Sequence, residues 1–121
     1  MDKRDLKERT KQFALAVLKL VDELPPTLKG RLIGHQLGDA GTSVGANYRA
    51  ACRARSKNEF ISKLGTVIEE ADESAFWLEL VIGTQILKRE RVLPLWQEAS
   101  EITAIMTQSR KTAESNLKTP K

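Results

Sequence analysis

Apolar residues recur along this chain every three or four positions, the spacing that keeps one face of an α-helix against a core. The first such stretch carries Leu6, Phe13, Val17, Leu20 or Val21, and Leu24, with Asp2 and Asp5 at the end where the helix dipole favours negative charge. Pro25-Pro26 stops it, because proline has no amide to donate and clashes with the preceding turn. Thr27 is a cap for a second helix whose apolar positions are Ile33, Leu37, Ala40, Val44, Tyr48 and Ala51. Ser56-Lys57-Asn58-Glu59 has the form of a capping box, and the stripe that follows it runs Phe60, Leu64, Val67, Ala71, Ser74, Leu78 and Val81. A fourth stretch opens near Val92-Leu93-Pro94, where proline is tolerated in a first turn, and continues through Leu95, Trp96, Ala99, Ile102, Ile105 and Met106. The pattern predicts helices over about residues 5–24, 28–53, 57–87 and 92–112. They form one domain over about residues 1–114, with the polar stretch 115–121 expected as a frayed tail.

Four amphipathic helices joined by short connections hide their apolar faces against one another, so the expected fold is all-α, an antiparallel up-down four-helix bundle. A chain of 121 residues can bury such a core without disulfides or a structural metal, and its single cysteine, Cys52, excludes an intrachain disulfide. Aromatic residues make up only 5%, and no Asn-Gly or Asp-Gly dipeptide separates alternating apolar runs. No apolar run approaches the roughly 20 residues of a membrane span, and Met1-Asp2-Lys3-Arg4-Asp5 lacks an apolar signal core. The expectation is a cytoplasmic protein with no membrane partner.

Five of the seven glycines, Gly30, Gly34, Gly38, Gly41 and Gly45, fall at intervals of three and four along the second helix. Each costs about 1 kcal/mol of helix propensity relative to alanine, so close packing must offset the loss. Gly34, Gly38, Gly41 and Gly45 therefore mark either a subunit interface or an unusually close approach to a neighbouring helix. Ordinary packing against a bulky residue such as Trp77 or Trp96 is the plainer alternative.

Catalytic chemistry is hard to assemble from this chain. Glu69, Glu70, Asp72, Glu73 and Glu79 make the third helix acidic, but a di-iron bundle needs a Glu-x-x-His pair from each of two helices, and His35 is the sole histidine. Solvation, or pairing with basic residues of neighbouring helices, is the expected state of these carboxylates. His35 lies four residues before Asp39, a spacing for a side-chain pair, and no nucleophile triad or phosphate loop surrounds it. Cys52, beside Arg53, reads as a small half-buried helix residue. No catalytic residue, metal ligand or cofactor is assigned.

Positive charge is better organised. Lysine and arginine number 20 against 16 acidic residues, a formal charge of +4, and Arg49, Arg53, Arg55, Lys57 and Lys63 cluster where the second helix gives way to the third. Cations suit the end of the second helix, but Lys57 sits in a first turn, where the dipole disfavours it. Exposed amides flanked by arginines suit phosphate, so this corner is a candidate contact for RNA or DNA backbone, with a solvated charged corner as the alternative.

The stretches Gln36-Leu37, Ser43-Val44-Gly45-Ala46-Asn47-Tyr48, Glu59-Phe60-Ile61-Ser62-Lys63-Leu64 and Glu70-Ala71-Asp72-Glu73-Ser74-Ala75-Phe76-Trp77-Leu78-Glu79-Leu80 carry a resemblance. They resemble the bacterial four-helix-bundle proteins first noticed as products of intervening sequences in large-subunit ribosomal RNA genes. The accessory variability protein of diversity-generating retroelements is a more distant relative. The resemblance implies a homo-oligomer, a ring of five bundles, without enzymatic activity and with a role on nucleic acid; in the accessory variability relatives the basic surface of the ring is associated with nucleic acid and a reverse transcriptase. It makes Arg49, Arg53, Arg55, Lys57 and Lys63 the residues for that part, and Asn47 and Glu73 polar residues that satisfy one another or nearby groups inside the bundle. Family members commonly carry an acidic residue where this chain has Ala50, which leaves Arg49 and Arg53 without that partner. A scaffold that docks another protein is the competing function.

Overall fold

The computed structural model describes residues 2–118. Within them the chain forms α1 (Lys3–Asp22), α2 (Leu28–Cys52), α3 (Lys57–Thr84) and α4 (Arg89–Lys118). Three of the starts follow from the caps. Asp2, Thr27 and Ser56 each adopt extended backbone and accept an amide three residues on, from Asp5, Gly30 and Glu59. At α3 the Glu59 carboxylate reaches back one residue further than a capping box requires, accepting from the Arg55 amide at 2.9 Å.

Each helix packs on the next in sequence, and the seam between α1 and α4 that closes the bundle is the thinnest. With connections this short, successive helices run antiparallel, giving the up-down four-helix bundle the periodicity predicts. Phe13, Val17 and Leu20 of α1, Leu37, Val44 and Tyr48 of α2, Leu64, Leu78 and Val81 of α3, and Ile102 and Met106 of α4 are buried together. Among the described residues the buried polar side chains are Thr10 and Ser74, and each donates its hydroxyl to a carbonyl one turn back at 2.8 Å, which removes the penalty of burial.

The fourth helix departs from expectation at both ends. It begins at Arg89, three residues early, so Pro94 stands in its second turn and deprives the Glu90 carbonyl of its helical donor. It also runs to Lys118, so residues 115–118 are helical instead of frayed, while 119–121 of the expected tail lie outside the described residues. The α1–α4 seam is tied by Arg9, whose guanidinium donates to both oxygens of Glu98 at 2.7 and 2.8 Å and to Glu101 at 3.3 Å. Arg91 makes a similar fork to Glu23 near the other end. Among the described residues no helix is long and apolar enough to cross a membrane.

Candidate nucleic-acid interface

Glycine sets how α1 and α2 meet. A Cβ at Gly41 would lie 2.8 Å from both methyls of Val17, and one at Gly45 would lie 3.3 Å from the Thr10 carbonyl oxygen, so the helices approach backbone to backbone at Gly45 and the Val17 side chain fills the space left at Gly41. Gly30 is tighter still, since a Cβ there would meet the Pro25 carbonyl oxygen. Gly34 faces Leu24 and Val21 at ordinary contact distance, and Gly38 has only a Val21 methyl at 4.0 Å. The stripe therefore packs on α1, and neither Trp77 nor Trp96 is its partner; those indoles donate to Glu73 at 3.5 Å and Glu79 at 2.9 Å.

The close crossing brings the first half of α1 beside the second half of α2. Arg4, Lys7 and Lys11 from α1, Arg49 from α2 and Arg53 at the C-cap of α2 line one open groove, with Gly45 and Ala46 along part of its wall and Cys52 half-buried within it. Asp5 and Glu8 are its only acidic lining residues, so five cations face two carboxylates. All five cations are exposed, and none takes part in an ion pair among the described residues. Ala50 beside Arg49 offers them no acid.

The structure divides the sequence-defined corner. Arg49 and Arg53 belong to the groove, whereas Arg55, Lys57 and Lys63 do not line it: Arg55 and Lys57 stand exposed at the turn and the start of α3, and Lys63 is half-buried further along that helix. In their place come Arg4, Lys7 and Lys11, whose spacing of three and four residues puts them on one face of α1. Lys3, one residue before Arg4, holds its ammonium 4.8 Å over the Phe60 ring and does not line the groove.

Of the two readings of Asn47 and Glu73, mutual satisfaction or satisfaction by nearby groups, the second describes Asn47, which donates to the Ser43 carbonyl at 2.8 Å, while Glu73 is exposed and accepts from the Trp77 indole at 3.5 Å. His35 and Asp39 are both exposed and make no ion pair among the described residues. Of the two states expected for the acidic residues of α3, solvation is the one found for Glu69, Asp72, Glu73 and Glu79, which are exposed, while Glu70 is half-buried; none of the five is in an ion pair among the described residues. Partial burial, then the nearby carboxylates of Glu73, Asp39 and Glu69, hold the Glu70 carboxyl above its ordinary value. Burial likewise pushes the Tyr48 phenol up, aided by the neighbouring Cys52. No group of three or more potential metal ligands occurs among the described residues.

The profile of the 23S rRNA-intervening sequence proteins matches residues 3–108. The chain belongs to this family. A solved structure of similar fold is that of a protein of unknown function from the S23 ribosomal protein family of Bacteroides thetaiotaomicron, 32% identical, covering 92% of this chain and 99% of that one, with a TM-score of 0.85. No curated protein matches the chain significantly. The likeness to this structure agrees with the fold described above, and the function of that protein is unknown.

Proposed function

We propose that this protein is a non-catalytic, homo-oligomeric bundle that holds RNA or DNA by its phosphate backbone, with the α1–α2 groove as the contact surface. The observation that carries the reading is five exposed cations, Arg4, Lys7, Lys11, Arg49 and Arg53, converging on one groove with no ion pair of their own among the described residues. Arginine forks and lysine ammoniums are matched to phosphate oxygens, and an unpaired cation binds phosphate without first breaking an internal bridge. A homo-oligomer, a ring of five in keeping with the family resemblance, would repeat the groove, so several weak contacts would act on one polyanion. No aromatic side chain lines the groove, so binding follows the backbone and not the base sequence.

The test is fluorescence anisotropy with structured RNA and with duplex DNA on two variants. Lys7→Ala/Lys11→Ala/Arg49→Ala/Arg53→Ala is expected to lose binding. Arg55→Ala/Lys57→Ala/Lys63→Ala, outside the groove, is expected to weaken it only modestly. The reverse order would assign the contact to the α2–α3 corner, and tight binding by both variants would remove the groove from the account.

A further inference from the structure

We infer that Phe76 on α3 of one copy docks into an apolar hollow between α1 and α2 of a second copy, away from the basic groove, a contact that rests on the homo-oligomeric part of the function proposed above. Phe76 is 51% exposed, a large apolar surface left out of the core. Its ring stands edge-on to Trp77, with centroids 5.3 Å apart and planes at 74°, a contact that favours one orientation. On the helix surface its neighbours at −4, −3 and +3 are Asp72, Glu73 and Glu79, all exposed and none in an ion pair among the described residues. The result is an aromatic knob inside a ring of negative charge.

The receiving surface lies at the far end of the α1–α2 crossing from the basic groove. Val21, Leu24, Pro25 and Gly34 line a depression of about 270 Å³, and an adjoining hollow carries it past Gly38 and the half-exposed Leu18. Missing side chains at Gly34 and Gly38 deepen it, with only a Val21 methyl at 4.0 Å from the Cβ position of Gly38. Its rim carries Arg31, exposed and without an ion pair among the described residues, together with His35 and a single carboxylate, Asp39. An acid-ringed aromatic knob and an apolar hollow edged by a free guanidinium are complementary in charge and in polarity. Both halves belong to this one chain, which makes a second copy the fitting occupant. Knob and hollow lie on different helices, so the contact is head-to-tail, and each copy keeps one free half for the next, as a closed ring or an open filament requires.

Light scattering on three proteins and one mixture tests the contact. The wild-type chain is expected as a multiple of its 13.5 kDa protomer, while Phe76→Ser and Gly38→Leu, each keeping a wild-type circular-dichroism spectrum, are expected as single protomers. Mixed in equal amounts, the two variants retain one intact knob and one intact hollow between them and are expected to form a species of twice the protomer mass. Arg31→Glu serves as a second hollow variant if the leucine perturbs folding. A monomeric wild type would overturn the homo-oligomeric reading together with this contact. An oligomeric wild type whose variants stay oligomeric would overturn the contact alone, as would variants that are monomeric yet fail to pair when mixed.

Discussion

At the scale of single residues, the glycines of this chain separate into those that closeness demands and those it does not. Alanine at Gly30 would drive its methyl onto the Pro25 carbonyl, and at Gly41 into Val17, so both substitutions are expected to lower the melting temperature, Gly30→Ala the more because backbone and not a side-chain methyl must give way. Gly83 has nothing within 4 Å of its Cβ position, and Gly83→Ala is expected to add about 0.5–1 kcal/mol through helix propensity. Thermal melts of the three variants check the order. Glu70 gives a pH signature. Its folded carboxyl sits above the ordinary value, so the folded chain holds a proton that the unfolded chain releases, and stability falls as pH rises from about 4.5 through that raised value. Glu70→Gln is expected to flatten this decline and to melt higher than the wild type at pH 7; an equal or lower melting temperature there would contradict the assigned cause. Glu23 works in the opposite direction, because its hydrogen bond to Arg91 lowers its carboxyl and the stability so gained is lost as pH falls below about 4.5.

At the scale of helices, caps and periodicity made most of the architecture legible in the sequence. Thr27 and Ser56 fix two starts through their hydroxyls, and the stripes of α2 and α3 are the faces found buried. The fourth helix was less legible because its start has no side-chain cap of the Ser56 kind and Pro94 resembles a first-turn residue from sequence alone. Gln85 at the end of α3 was also silent, since nothing in its neighbours announces the left-handed backbone, φ 58°, that closes the helix. A side chain is disfavoured there, so Gln85→Gly is expected to stabilise by about 0.5–1 kcal/mol in denaturant titration, and a loss of stability would show that the glutamine side chain holds the cap.

At the scale of the whole molecule, the fold joins residues that the sequence holds far apart. Arg49 and Arg53 were visible as basic residues at the end of a helix, but their groove partners Arg4, Lys7 and Lys11 lie some forty residues earlier. Only the antiparallel register, in which Gly45 meets Thr10, Gly41 meets Val17 and Gly34 meets Leu24, sets the two groups opposite each other. Proximity along the chain instead pointed to Lys57 and Lys63, which the start of α3 carries outside the groove. The periodicity of Arg4, Lys7 and Lys11 was present in the sequence, but lacked meaning until the face of α1 that meets α2 was known. The most direct test of the central claim is the salt dependence of binding to duplex DNA by the wild-type protein, read by anisotropy from low to high salt. If all five groove cations neutralise phosphates, the logarithm of the association constant should fall against the logarithm of salt with a slope of about −4.5 per groove engaged, at about −0.9 per contact. Binding absent even at low salt, or insensitive to salt, would contradict a backbone-binding groove.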